Sequence, residues 1–270
     1  DLYVKGSFES GYYQYNTCFN IIGKGVDRSD SDIRLEVMVQ ADGRIREYDD
    51  YNHVELHFKR DRKIVRAREI LSECKIEYNE HKGKDGSTYF SFRAPKFVCK
   101  DLSEYYNASR HQLSVLADES LKWDGHEGER PYYSSTNKVN ADLIQFAFTA
   151  TNRRASICTP THRDGENQVY VVTISKHKYS CYSGMPTLYQ SKDGFKYCFT
   201  TQTGFFLCRR SGFTFLTGNC GMIAVQTDLN ANEISDMSVR RRIHQLIKSR
   251  IPVGDGHAHE KQQSWDGFEE

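Results

Sequence analysis

At 270 residues the chain is longer than one compact core usually needs, so two domains, or one domain with appendages, are expected and a single small module is excluded. Hydrophobic residues make up 38% and charged residues 27%; with no apolar run long enough to span a bilayer, a soluble cytoplasmic chain without a membrane partner is expected. The net charge of +1 divides into +3 over residues 1–219 and −2 over residues 220–270, where six Lys/Arg face eight Asp/Glu; neither part is a strongly basic body, so any contact with DNA has to come from a local groove.

The chain opens on Asp1 with no basic n-region or apolar h-region, and is expected to be a fragment without a signal peptide. Residues 33–42 read as a helix: Ser29, Asp30, Ser31 and Asp32 offer N-caps, Ile33, Val37, Gln40 and Ala41 share one face, and Gly43 is placed to stop it. Val54, Leu56 and Phe58 alternate as a half-buried strand, and Arg62–Cys74 carries Ile64, Ala67, Ile70 and Leu71 at helical spacing. Strands over 75–78 and 88–92 are joined by a turn in which Asp85-Gly86 is a hairpin signal. The pattern then recurs. Asn107 and Ser109 can cap a helix with Leu113, Leu116, Ala117, Ser120 and Leu121 on one stripe; Pro131–Ser135 reads as a strand, Lys138–Ala150 as a helix with Leu143, Phe146, Ala147 and Ala150 inward, and 155–157 and 168–175 as the closing strands. One pseudo-symmetric α+β domain of two α-β-β-α-β-β repeats is expected.

The eight cysteines (Cys18, Cys74, Cys99, Cys158, Cys181, Cys198, Cys208, Cys220) contain no C-x-x-C pair, which argues against a zinc knuckle; in a chain with no secretory signal they are expected as buried thiols in a reducing cytosol. More informative is that both repeat helices end in an acid and a glycine, Asp42-Gly43 and Asp124-Gly125. An acid at a helix C-terminus opposes the macrodipole, so two at equivalent ends point to a cation, a divalent metal above all. Asp-Gly is also a common turn dipeptide; the repeat context favours the metal.

The stretches Leu35-Glu36-Val37-Met38-Val39-Gln40-Ala41-Asp42-Gly43 and Ala117-Asp118-Glu119-Ser120-Leu121-Lys122-Trp123-Asp124-Gly125 resemble degenerate copies of the nine-residue motif of LAGLIDADG (DOD-type) homing endonucleases. Tyr133-Ser134-Ser135-Thr136-Asn137 and Arg154-Ala155-Ser156-Ile157 resemble the segments downstream of the second motif in the intein-borne branch. The resemblance covers about residues 24–178, with repeats over 24–100 and 101–178 and residues 1–23 as an intein linker remnant. It implies two motif helices packed at a pseudo-twofold axis, a monomeric pseudo-dimer on double-stranded DNA, and Asp42 and Asp124 holding Mg²⁺ for phosphodiester hydrolysis. Saddle-shaped sheets would place side chains in the major groove and Lys/Arg on phosphates, with Lys59, Arg60, Arg93, Lys96, Lys176 and Lys178 as candidates; Lys176 and Lys178 are singled out as positions near the family's catalytic lysine. Val37 stands where the motif has glycine, and Glu36 and Glu119 depart from it.

Residues 179–219 carry a second signature. Tyr197–Leu207 alternates like a strand pair, and Gly212-Phe213-Thr214-Phe215-Leu216-Thr217-Gly218 runs into Asn219-Cys220. This resembles the carboxy-terminal end of an intein, a partial all-β Hint segment. An Asn side-chain amide can attack its own backbone carbonyl and break the peptide bond, while the following Cys thiol accepts an acyl group. Asn219 and Cys220 would take those roles. Gly218 replaces the usual penultimate histidine, and Cys198 is the expected helper. The amino-terminal intein half and N-extein would be missing partners.

Residues 220–270, from Cys220-Gly221-Met222 through Arg240-Arg241-Arg242 to Ile251-Pro252-Val253-Gly254, resemble the RtcB-type RNA-splicing ligase after its metal motif. A short α/β piece of C-extein is expected, with Cys220 a Mn²⁺ ligand in the mature ligase. Mn²⁺ and GTP would belong to the complete host enzyme, a 3′-phosphate/5′-hydroxyl RNA ligase, whose activity is not expected here. The competing function for residues 24–178 is a decayed endonuclease that binds DNA without cutting it.

Overall fold

A computed structural model describes residues 12–21, 23–160, 167–183 and 205–218. Its elements in chain order are β1 (Tyr12–Asn16), α1 (Asp30–Asp42), β2 (Arg44–Glu47), β3 (Asn52–Phe58), α2 (Asp61–Glu73), β4 (Tyr78–Lys82), β5 (Thr88–Ala94), a 3₁₀ turn (Ser103–Asn107), α3 (Arg110–Trp123), β6 (Gly125–His126), β7 (Tyr132–Ser135), α4 (Lys138–Ala150), β8 (Ala155–Cys158), β9 (Tyr170–Ile174), β10 (Tyr179–Ser183), β11 (Phe205–Arg210) and β12 (Phe213–Gly218). The fold is mixed α+β, and every strand pair with a described register is antiparallel. The chain divides into two compact units, one of Cys18–Lys178 with Ser211–Phe213, the other of the remaining residues.

Local chemistry sets the helices of the larger unit. Ser29 caps α1 in a reciprocal box: its Oγ accepts from the Asp32 amide at 3.2 Å while Asp32 Oδ2 accepts from the Ser29 amide at 2.9 Å. Ser109 and Gln112 repeat the device at α3, and Gln112 Nε2 also donates to Val26 O and Arg28 O, tying the entry to α1 onto α3. The first helix thus starts at Asp30, three residues ahead of the expected Ile33, because the box forms at Ser29. Ile33, Leu35, Glu36, Val37, Met38 and Val39 are all buried, so α1 is wrapped on nearly every side. It packs directly on α3, and Val37, in the motif's glycine position, is itself in the core at 1% exposure.

Each half of this unit builds one sheet. The first runs β2-β3-β5-β4, and β6, β7, β9 and β8 lie in that order in the second, so both place their strands in the succession first, second, fourth, third. Val54, Leu56 and Phe58 on β3 and Phe90, Phe92 and Ala94 on β5 point into one core with α1, α2 and α3, while Tyr133, Val172 and Ala155 face α4. β2 and β6 escape sequence patterning because Arg44-Ile45-Arg46-Glu47 has one apolar residue and Gly125-His126 has none. β4 starts where the sequence predicts a strand to end: α2 closes through Ile76 N donating to Leu71 O, with Lys75 at φ 54°, and that left-handed turn keeps 75–77 out of the ladder. The second sheet is further bonded within the unit by Phe213, which pairs with Ser156, and by Gly212 O, which accepts from Ile157 N and Gln145 Nε2.

In the smaller unit β1 pairs with β10 from Tyr12↔Ser183 to Asn16↔Tyr179, and Thr214 Oγ1 donates to Thr17 O at 2.8 Å. Among the described residues Cys18, Cys74, Cys99, Cys158 and Cys208 form no disulfide; Cys18 is buried as expected, whereas Cys74, Cys99 and Cys208 are half-buried and Cys158 is exposed. Cys198, Asn219, Cys220 and the whole of 220–270 lie outside the described residues. Among the described residues no helix is long and apolar enough to cross a membrane.

Candidate active site

Asp42 is the last residue of α1, and Asp124 caps α3. The glycine after each is needed for space rather than for backbone conformation. Gly43 is extended at φ −79°, and a Cβ on it would stand 2.6 Å from Val39 O; a Cβ on Gly125 would meet Leu121 Cα at 2.6 Å and Tyr132 O at 2.7 Å. The chain therefore leaves each helix directly into β2 or β6, and the two carboxylates stay at the junction of helix and sheet.

Lys63, in the first turn of α2, reaches both. Its Nζ lies 2.5 Å from Asp42 Oδ2 and 3.8 Å from Asp124 Oδ1, and 5.8 Å from the centre of the Trp123 ring. The side chain of Lys63 is 13% exposed. A cation in the first turn of a helix opposes the macrodipole, as an acid in the last turn does; here the two misplacements cancel against each other. A second ammonium, Lys100, donates to Gln40 O at 2.8 Å. Burial lowers its pKa, against the charges of Asp42 and Asp124, which raise it. Burial and the Asp42 charge push the Asp124 carboxyl above the ordinary carboxylate range, opposed by Lys63 and Lys100.

Beside Asp124 opens a cavity of about 550 Å³ lined by Gln40, Lys100, Ser135, Asn137 and Asn140 among others. Among the described residues no three His, Cys, Asp or Glu gather into a metal cage. Asp42 and Asp124 each bring a hard oxygen donor within 4 Å of one ammonium, a donor type that suits Mg²⁺, an ion held by one or two carboxylates with water and substrate phosphate completing the shell. The donor set fits such an ion.

Lys176 and Lys178 follow β9. Lys176 is exposed after β9, and Lys178 is the last residue of the long segment of this unit, its carbonyl accepting from Cys18 Sγ at 3.6 Å. The lysines described at the acids are Lys63 and Lys100, which sequence patterning did not single out. A lysine at a helix start is the available signal for Lys63; Lys100, in the loop between β5 and the 3₁₀ turn, carries none. Of the other basic candidates, Arg93 lies on the outer face of β5 with its guanidinium 4.6 Å over the Tyr51 ring, Lys96 Nζ donates to Tyr48 O, Lys59 lies 3.6 Å from Asp85, and Arg60 precedes α2.

Behind the acids, two buried glutamates hold the helices. Glu119 is 2% exposed, accepts two bonds from Arg66 of α2 and accepts from Trp123 Nε1 at 2.9 Å. Glu36 accepts from Tyr105 Oη at 2.5 Å with Arg28 Nε at 3.4 Å. Burial raises the Glu36 carboxyl from 4.5 to about 7, against the lowering bond from Tyr105 and charge of Arg28. The folded state thus holds a proton that the unfolded chain releases, so Glu36 makes stability fall as pH rises from about 4.5 to about 7 and levels it above that, an effect on the order of 3 kcal/mol at most. Glu36→Gln is expected to flatten the denaturation-midpoint profile in this window and to leave the variant more stable than the parent at pH 8; an unchanged slope contradicts the assignment.

No family model matches the chain. The ribonucleoside-diphosphate reductase subunit beta of Aquifex aeolicus (strain VF5) is 22% identical over 259 aligned positions, covering 84% of this chain and 37% of that protein. The chain therefore spans well under two thirds of the curated relative's length. Among solved structures, those of mesophilic variants from the homing endonuclease I-DmoI superpose with a TM-score of 0.43 at 16% identity, covering 54% of this chain and 89% of that one. I-DmoI in complex with DNA and Mn gives 0.42 at 16%, covering 54% and 91%. The N-terminal LAGLIDADG domain of DUF199/WhiA gives 0.39 at 8%, covering 55% and 78%.

Proposed function

We propose that residues 24–178 are a metal-dependent DNA endonuclease of the LAGLIDADG type, two repeats about a pseudo-twofold axis cutting both strands of a duplex. The observation that carries this reading is the meeting of Asp42 and Asp124 at the ends of the packed helices α1 and α3, bridged by one ammonium. Asp42 and Asp124 would hold the ion, and a divalent metal there supplies Lewis-acid polarisation of the scissile phosphate and an activated water. Lys63 and Lys100 offer positive charge to the same phosphate, and the hydroxyl and amide groups of Ser135, Asn137 and Asn140 give its oxygens donors beside Asp124.

The outer faces of the sheets supply the duplex contacts. On the first, Arg44, Arg46 and Arg93 flank a row in which the His57 and Tyr89 rings stack 4.5 Å apart and the Tyr89 and His81 rings 5.0 Å apart. Arginines of this kind contact phosphates and guanine edges, and the ring edges reach bases. The second face, with Tyr132, Ser134, Ser156 and Thr173, is hydroxyl-rich. Selection of cut sites from a random duplex library tests the function: recovery of one site family with Mg²⁺ and none with chelator is expected. Cutting without metal, or no cutting of any duplex, overturns it.

A second activity is proposed for the segment after residue 178. Residues 179–219 are read as the carboxy-terminal Hint segment of an intein, with Asn219 cyclising, Cys220 as the nucleophile after it and Cys198 as helper, followed by a C-extein of an RtcB-type ligase in which Cys220 later holds Mn²⁺. The neighbouring strands β11 and β12, the second ending at Gly218, one residue before Asn219, favour this reading. Polarising the Asn219 carbonyl and protonating its leaving amide need groups from both intein halves. Addition of a matching amino-terminal half is therefore expected to release residues 220–270 joined to the N-extein, as read by intact mass. Asn219→Ala is expected to abolish that release; the same fragment from Asn219→Ala overturns the assignment.

A further inference from the structure

The place a metal would take between Asp42 and Asp124 is the place the Lys63 ammonium holds: 2.5 Å from one carboxylate, 3.8 Å from the other. We infer that Lys63 is an internal cation that keeps this position in the free protein and gives it up to the metal only when DNA phosphate draws the ammonium away. The inference rests on the metal site proposed above. Three features of the chain support it.

The first is charge balance. Two carboxylates brought together at the C-terminal ends of two helices repel each other and oppose both macrodipoles. Lys63 is the cation in direct contact with the pair, whereas the Lys100 ammonium is bonded to Gln40 O. The second is enclosure. The Lys63 side chain is 13% exposed and its ammonium stands over the Trp123 ring, so the pair attracts more strongly than it would in open water. The third is reach. Lysine carries a compact point charge on a flexible four-carbon stem, and α2 fixes only its root, so the ammonium can exchange a carboxylate for a phosphate without movement of the helix. Metal loading is then coupled to substrate: with no phosphate nearby the ion has to displace a bound charge, and with phosphate in place the acids are free to take it.

Trp123, next in sequence to Asp124, provides the readout. The chain has two tryptophans, Trp123 and Trp265, so in a Trp265→Phe background Tb³⁺ luminescence sensitised by Trp123 reports metal at this point without any cleavage. In the absence of DNA, Lys63→Met is expected to bind Tb³⁺ about tenfold or more tightly than the parent, because the competing charge is gone; Lys63→Arg, which keeps the charge, is expected to stay near the parent. Adding Mg²⁺ is expected to raise the melting temperature of Lys63→Met more than that of the parent, since the unneutralised acids then depend on the ion. Should Lys63→Met fail to give a folded far-ultraviolet spectrum, Lys63→Gln takes its place in the same comparison. Equal or weaker Tb³⁺ binding by the neutral variant overturns the inference while leaving the metal site standing, provided Asp124→Asn removes the signal. A Tb³⁺ signal that survives in both Asp42→Asn and Asp124→Asn overturns the site and the inference together.

Discussion

Arg66→Ala is expected to destabilise the larger unit by about 3–5 kcal/mol, the cost of leaving a buried carboxylate without its partner. Glu119 is 2% exposed and takes both forks of the Arg66 guanidinium, at 3.0 Å and 2.6 Å. Burial alone would raise its pKa; the Arg66 bonds and charge outweigh that and hold it below the usual carboxylate range. A depressed carboxyl contributes stability above its unfolded pKa and loses it as pH falls, so the penalty of Arg66→Ala is expected to be larger at pH 8 than at pH 4. Arg66→Met paired with Glu119→Gln, which keeps an acceptor for Trp123 Nε1, is expected to cost less than Arg66→Ala. Urea denaturation at the two pH values checks this, and a loss below about 1 kcal/mol at pH 8 contradicts it.

The larger functional effect is expected at the acids. Asp42→Asn and Asp124→Asn each keep the shape of the side chain and remove the charge, so α1, α3 and their packing should persist while the proposed metal site loses one of its two carboxylates. Single-turnover cleavage of a selected duplex is expected to fall about a thousandfold or more in either variant, matching the several kcal/mol that a metal contributes to a phosphoryl transition state. Duplex binding, proposed to rest on Arg44, Arg46, Arg93 and their neighbours on the outer face, should change little. Loss of binding together with cleavage would place the acids in the framework rather than in the chemistry.

Much of the framework was legible because its determinants are local. Ile64, Ala67, Ile70 and Leu71 at helical spacing are the buried residues of α2, and Val54, Leu56 and Phe58 alternate inward along β3. Lys138–Ala150 is helical over the range its pattern predicts, with Asn137 Oδ1 accepting from the Val139 amide to cap it. What local pattern could not supply was tertiary. Glu36 and Glu119 look out of place in buried helices until Tyr105, Arg28 and Arg66 arrive from elsewhere in the chain. Lys63 and Lys100 lie 21 and 58 positions beyond Asp42, and only the packing of α2 and of the loop after β5 brings them to the acids. Gly43 reads as a helix stop, yet it is extended; it and Gly125 are glycine because a neighbouring backbone leaves no room for a Cβ.

The most direct test of the shared acidic site is anomalous scattering from Mn²⁺ in crystals of the protein with a duplex recovered from the library selection. One peak within coordination distance, about 2.0–2.2 Å, of carboxylate oxygens from both Asp42 and Asp124 is the predicted result. Manganese bound to neither aspartate, in a complex that cuts its DNA when the crystals are dissolved, would contradict it.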